Sequence, residues 1–191
     1  MAGFTSCILG ATDKMTDEAA LLRRARQYDE DALAEIYREY APVIYAYIYR
    51  RVGDDMVAES MVGEVFVRML EAIRSERAWR TSFRGWLYRI AHNLIVDHHR
   101  GEPDEALVPL VGWEVRGEGD PDEALREKTS RQRLASALRH LTSGQQQVLV
   151  LRFGEGLTAR ETAAVMEKSV SAVEGLQHRG LASLRRILDG K

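Results

Sequence analysis

Apolar residues recur every three to four positions along most of the chain. Leu21, Leu22, Ala25 and Tyr28, and then Leu33, Ile36, Tyr37 and Tyr40, have the spacing that lines one face of a helix. Asp29 to Asp31 predicts a junction between these two helices. The run YAPVIYAYIYRRVGD extends the second to about Gly53, a helix-terminating glycine. A third helix is predicted from Asp54 or Asp55, with Met61, Val65, Met69 and Ile73 on its inner face. Phe83, Trp86, Leu87, Ile90 and Leu94 then form one buried stripe of a fourth.

The periodicity stops at residue 100. GEPDEALVPLVGWEVRGEGDPDE holds three of the four prolines and reads as a linker, too long for a connection inside one compact domain. Helical spacing resumes with Leu125, Leu134, Leu138 and Leu141. Thr142-Ser-Gly-Gln145 and Thr158-Ala-Arg-Glu161 each have capping-box spacing and predict two helix starts. Gly154-Glu-Gly156 ends the first of these helices, and a polar break at Glu167–Ser169 ends the second. A last helix is predicted with Val173, Leu176, Leu184 and Leu188 facing inward. The fold class is therefore all-α, with a tail over 1–15, one helical domain over 16–100, an acidic flexible linker over 101–121 and a second helical domain over 122–191.

Composition narrows the setting. The single cysteine, Cys7, excludes an internal disulfide and fits a reducing compartment. Residues 1–14 lack the basic start and sustained apolar run of a signal peptide. No stretch approaches the roughly 20 apolar residues that span a bilayer, so the cytoplasm is the expected location. A net charge of −2 argues against strong nonspecific attraction to nucleic acid, but it averages two opposite segments. Residues 74–100 contain six arginines and two acids. Residues 101–123 contain eight acids and one arginine.

The last two helices, joined by a short turn, have helix-turn-helix form. In that arrangement the N-terminal side chains of the second helix reach base edges in the major groove. The candidates are Ser171, Ala172, Glu174, Gly175, Gln177, His178 and Arg179. Gln177 is suited to adenine, and Arg179 to guanine or a phosphate. A helical hairpin that packs on a protein has the same pattern. Glu174 sits poorly against phosphates; Ser171-x-x-Glu174 also has cap spacing, and a carboxylate can accept from a cytosine amine.

The segment WRTSFRGWLYRIAHNLIVDHHR combines aromatics with cations. Trp79, Arg80, Arg84, Tyr88 and Arg89 lie mostly off the buried stripe, and arginines beside aromatic faces suit an unpaired DNA strand. A solvated basic face is the plainer reading. Asp97-His98-His99 resembles a phosphoesterase triplet, but it ends a helix and no further aspartates converge on it. His92, His98 and His99 lack zinc-ligand spacing. No metal, no cofactor and no enzymatic function is expected.

Taken in order, these segments resemble one family. SFRGWLYRIAHNLIVDHHR is similar to the promoter-melting segment of extracytoplasmic-function sigma factors, the small two-domain specificity subunits of bacterial RNA polymerase. LTSGQQQVLVLRFGEGLTARETAAVMEKSVSAVEGLQHRGLASLRRIL is similar to the family's fourth region. The resemblance implies that AESMVGEVFVRML binds core polymerase, through Glu59, Glu64, Val65, Phe66 and Arg68. Ser60 and Gly63 stand where members typically carry an acid and a glutamine.

It further implies that Arg84, Trp86, Arg89, Asn93, Asp97 and Arg100, with Arg80 and His98, open the −10 element and hold a flipped base. The recognition helix would read the −35 element, and the acidic linker would thread the polymerase cleft. The implied partners are the β and β′ subunits of core polymerase and promoter DNA, and the family admits an anti-sigma factor or another regulatory protein. The competing function is a stand-alone helix-turn-helix regulator that binds duplex DNA without polymerase.

Overall fold

The computed structural model describes residues 18–75, 79, 82–100 and 133–190. The N-terminal tail, Arg80, the acidic linker and the helical stripe around Leu125 lie outside these residues. Most of the described residues are helical. α1 covers 18–25, α2 Glu30–Val52, α3 Asp55–Arg74 and α4 Phe83–His98; α5 covers 133–139. α6 is Ser143–Leu149 and runs into a π-helical turn, Val150–Gly154; α7 is Ala159–Val165 and α8 is Val170–Leu188.

The contacts divide the chain into two compact units, Met1–Val43 and Ile44–Lys191. In the first unit, the break between α1 and α2 is set by local polar chemistry. Tyr28 has φ 60°, and Asp29 accepts from the Ala32 amide at 2.9 Å while pairing with Arg24 at 2.8 Å. Tyr40 donates to Glu18 at 2.9 Å. The aspartate cluster marks this junction because a carboxylate satisfies amides that the first turn of a helix leaves unbonded.

In the second unit the helix starts are again capped by side chains. Asp54 caps α3, Ser82 caps α4 and Ser169 caps α8. Thr142–Gln145 and Thr158–Glu161 both form the reciprocal capping boxes anticipated from their spacing. Gly53 at φ 72° and Gly156 at φ 66° supply left-handed backbone where the chain leaves a helix.

α3 packs on α4, and α4 packs on α7; α6 and α7 pack on α8. α3 buries Ala58, Val62, Val65, Phe66, Met69 and Ile73. Ala137, Leu138, Leu141, Leu149 and Leu184 form a separate apolar cluster, with Ile187 against it. Gly180 belongs to this packing, since a Cβ there would lie 3.2 Å from Leu149 Cδ1.

Three expectations about burial need correction. Tyr88 is fully buried and Trp79 is 5% exposed, so neither offers a stacking face. Tyr88 sits edge-on to Tyr47, and Trp79 stands against Phe83 and Trp86. Leu188, expected to face inward, is 38% exposed because it falls in the last turn of α8. Leu151→Ala should therefore destabilise the protein by about 2–5 kcal/mol in a denaturant titration, while Leu188→Ala should cost less than about 0.5 kcal/mol. Comparable losses from the two changes would contradict this assignment of the core.

Candidate nucleic-acid interface

Arg84 and Trp86, two residues apart on α4, point in nearly opposite directions, because each step along a helix turns by about 100°. Arg89, Asn93, Asp97 and Arg100 are exposed and follow the half-buried Trp86 along one stripe; His98 is exposed beside it. Trp86 is held by Phe83, whose ring centroid lies 6.4 Å away, and by Trp79 at 5.8 Å. This stripe offers two arginines, an amide and part of an indole in a row of about 20 Å, at 1.5 Å rise per residue. Such spacing suits successive nucleotides of a separated strand.

Arg84 belongs to the other side of α4. Its Nη2 donates to the Glu155 carbonyl, and its guanidinium carbon lies 5.7 Å above the Tyr88 ring. The residues carried over for strand contact are thus split, five on one stripe with His98 beside them and Arg84 turned toward the turn after the π-helix. Arg80 lies outside the described residues.

Helix α4 meets α7 closely at Gly85. A Cβ there would lie 2.9 Å from Glu161 Cγ, so a larger side chain would push the helices apart. Ser82 donates to Glu161 at the same place. Burial alone would raise the Glu161 carboxyl. The Ser82 hydroxyl, the Thr158 amide and the charge of Arg84 outweigh it and hold that carboxyl below its ordinary range.

Glu155 is the polar centre of this packing and is 6% exposed. Arg50 pairs with one of its oxygens, and Tyr88 donates to the other at 2.8 Å. Burial, and then the charge of Glu155, push the Tyr88 phenol far above its ordinary range, so it stays a neutral donor. Arg51, 3% exposed, lies 3.7 Å over the Tyr47 ring and donates to the Tyr47 carbonyl at 2.9 Å. Gln147 Nε2 lies 2.9 Å from His92 Nε2. Burial lowers the His92 imidazole to about 4, with Arg51 adding to the effect, so the ring is neutral and can accept this amide.

The recognition-helix candidates are mostly accessible. Ser171, Glu174, His178 and Arg179 are exposed, and Ala172, Gly175 and Gln177 are half-buried. Ser169 is the N-cap, bonding the Ala172 amide at 3.2 Å, so Glu174 does not cap the helix. The Gln177 carbonyl already accepts from Arg152 Nε at 3.0 Å. This bond uses the carbonyl oxygen of Gln177 and not its amide NH2, and it fixes the side chain through Arg152. Arg152, Arg50 and Glu155 hold these elements together, and helical spacing gave no reason to single them out.

On α3, Glu59 and Glu64 are exposed, and Arg68 pairs with Glu64 at 2.8 Å. Val65 and Phe66 are buried, so as core-contact residues they are corrected: they fix the helix from within. The outward stripe is Met56, Ser60, Gly63, Val67 and Leu70, with Met56 82% exposed. Among the described residues, no group of histidine, cysteine, aspartate and glutamate could hold a metal ion, and no helix is long and apolar enough to cross a membrane.

Among the described residues the fold is helical, with one accessible face on α4 and another on the N-terminal half of α8. Residues 36–103 match the Sigma-70 region 2 model, and residues 137–186 match Sigma-70, region 4. The ECF RNA polymerase sigma factor BldN of Streptomyces coelicolor is 36% identical over 88% of this chain and 64% of its own length. The ECF RNA polymerase sigma factor SigD of Mycobacterium tuberculosis is 30% identical over 87% of this chain and 81% of its own length. The structure of CnrH in complex with the cytosolic domain of CnrY is 27% identical, with a TM-score of 0.61, covering 90% of this chain and 97% of that one. The chain belongs to the sigma-70 family, among its ECF RNA polymerase sigma factors.

The half-buried His92 imidazole makes stability depend on pH in a definite direction. Between about 4 and 6.5 the unfolded chain takes up a proton that folded His92 refuses, so acid favours unfolding. A loss of about 2 kcal/mol is expected from this residue between pH 7.5 and pH 5. His92→Gln should flatten that part of the urea-midpoint profile. An unchanged slope in the variant would show that His92 is not the group responsible.

Proposed function

We propose that this sigma factor divides promoter recognition between two helical segments. The segment over 16–100 binds core polymerase and opens the −10 element; the segment over 122–191 reads −35 duplex; the acidic linker joins them. The observation that carries this reading is the exposed stripe Trp86–Arg89–Asn93–Asp97–Arg100. It places cations and a partly open indole along one side of α4, where a separated strand can be neutralised and a flipped base held.

Recognition of −35 rests on the exposed N-terminal half of α8, through Ser171, Ala172, Glu174, Gln177, His178 and Arg179. The amide NH2 of Gln177, fixed by Arg152, can donate to adenine N7 or to another base-edge acceptor. Core binding falls to the outward side of α3. Glu59, Glu64 and Arg68 supply charge there, and Met56, Val67 and Leu70 supply apolar contact around the small residues Ser60 and Gly63. The polymerase does the chemistry, and an anti-sigma factor or another regulatory protein is an expected partner.

Permanganate footprinting tests the melting role. Arg89→Ala should reduce promoter-thymine reactivity about ten-fold, with the fold intact by circular dichroism. Trp86→Ala should reduce it as well, with some loss of stability because Trp79 and Phe83 lose a partner. Full reactivity in both variants would remove α4 from promoter opening.

For the upstream element, Gln177→Ala and Arg152→Ala should each reduce discrimination among −35 sequences, by roughly 1–3 kcal/mol per affected base pair, with core binding unchanged. Promoter preference identical to the parent protein would contradict the −35 assignment.

A further inference from the structure

Gly175 stands in the second turn of α8, where glycine weakens a helix more than any residue except proline. Its backbone gives no reason for a glycine. Among the described residues, the glycines with left-handed backbone are Gly53, Gly156 and Gly190. Core packing gives no reason either. At Gly180, further along the same helix, a Cβ would crowd Leu149 Cδ1 at 3.2 Å and Gln145 Cβ at 3.5 Å. At Gly175 the three nearest atoms outside the helix backbone all belong to Arg179. A Cβ there would lie 3.3 Å from Nη1, and 3.8 Å from both Nη2 and the guanidinium carbon.

Residues four apart share one face of a helix, and helical side chains lean toward its N-terminus. Arg179 therefore lies back across the bare backbone at Gly175. Its guanidinium sits about one turn, roughly 5.4 Å, nearer the start of α8 than its own Cα. Arg179 is exposed, and among the described residues it is in no ion pair.

We propose that Gly175 is a positioning residue for sequence readout, a seat that holds the Arg179 guanidinium toward a guanine of the −35 element. The inference rests on the reading of α8 as the −35 helix. An arginine fork reads guanine through O6 and N7 together, so its discrimination depends on orientation. A long side chain loses rotamer freedom when it binds, and one already laid against the helix has less to lose. Gly175 brings no side chain to the DNA and acts through Arg179. Arg152 plays the same part for Gln177, so a neighbour sets each of these two polar heads.

A methyl group at residue 175 would occupy the seat. The approach of 3.3 Å is closer than ordinary contact, so the flexible end of Arg179 gives way and swings off the helix. The helix meanwhile gains a better helix former. Stability and readout therefore move in opposite directions, which a merely structural glycine would not produce.

The test is transcription by core polymerase and the full chain on fragments randomised over the −35 element, with thermal unfolding in parallel. Arg179→Ala should abolish a preference for guanine at one position. Gly175→Ala should weaken that preference about ten-fold and leave the positions that respond to Gln177→Ala unchanged. The same change should raise the unfolding temperature by roughly 2–4 °C. In an Arg179→Ala background, Gly175→Ala should still stabilise the protein but no longer alter base preference.

Full guanine preference in Gly175→Ala, or an equal loss with and without Arg179, would overturn the inference. So would a Gly175→Ala protein that loses stability together with preference. If Arg179→Ala weakens discrimination and Gly175→Ala does not, the −35 reading stands and the seat falls. If neither Arg179→Ala nor Gln177→Ala alters preference at any position, the −35 reading fails and the seat with it.

Discussion

The packing of α4 on α7 is the constraint on which the second compact unit depends. It brings a helix of the region 2 match against a helix of the region 4 match, across the intervening acidic segment of the sequence. Two features make the contact specific. Gly85 lets the helices approach until a single added carbon would collide with Glu161. Glu155, nearly enclosed, gathers a guanidinium and a phenol onto its carboxylate. Apolar contact gives such an interface area, but a buried carboxylate with fixed donors gives it one register, because any slip would leave a charge unpaired.

The same geometry divides α4 into two working sides. Trp86, Arg89, Asn93, Asp97 and Arg100 face outward and remain available when α4 rests on α7. Arg84 is engaged with the Glu155 carbonyl. A single amphipathic helix thus serves as core through Phe83, Leu87, Tyr88 and Ile95, leaves one flank exposed, and packs on α7 with the other. Tyr88 illustrates how these roles share atoms: its ring is core against Tyr47, and its hydroxyl reaches Glu155.

Helices, caps and turns were legible in the sequence because their signals are local. Asp29, Thr142 and Thr158 bond amides three residues away, and Gly53 and Gly156 need only their own backbone freedom. The buried stripe of α4 was legible from spacing at Phe83, Leu87 and Ile90, whereas Trp86 and Leu94 are half-buried. Tertiary assignments were not legible. Tyr88 and Trp79 look like exposed aromatics in a basic run, and only neighbours distant in sequence or a turn outside the helix place them in the core. Glu155 reads as a polar residue in a glycine turn. Its partners Arg50, Arg84 and Tyr88 lie 105, 71 and 67 residues away, beyond any periodic pattern. Ser169, one residue before α8, took the cap that Ser171 and Glu174 could have formed by spacing, so Glu174 is left to face solvent or DNA.

The family places the chain at promoters, and the proposed division of labour assigns −10 opening to α4 and −35 reading to α8. The most direct measurement is run-off transcription by purified core RNA polymerase on a library of promoter fragments, with and without the full chain. Start sites that appear only when the chain is added, sharing a −10 and a −35 element at fixed spacing, are the result this account predicts. No chain-dependent initiation on any fragment, with folding and core binding verified, would contradict it.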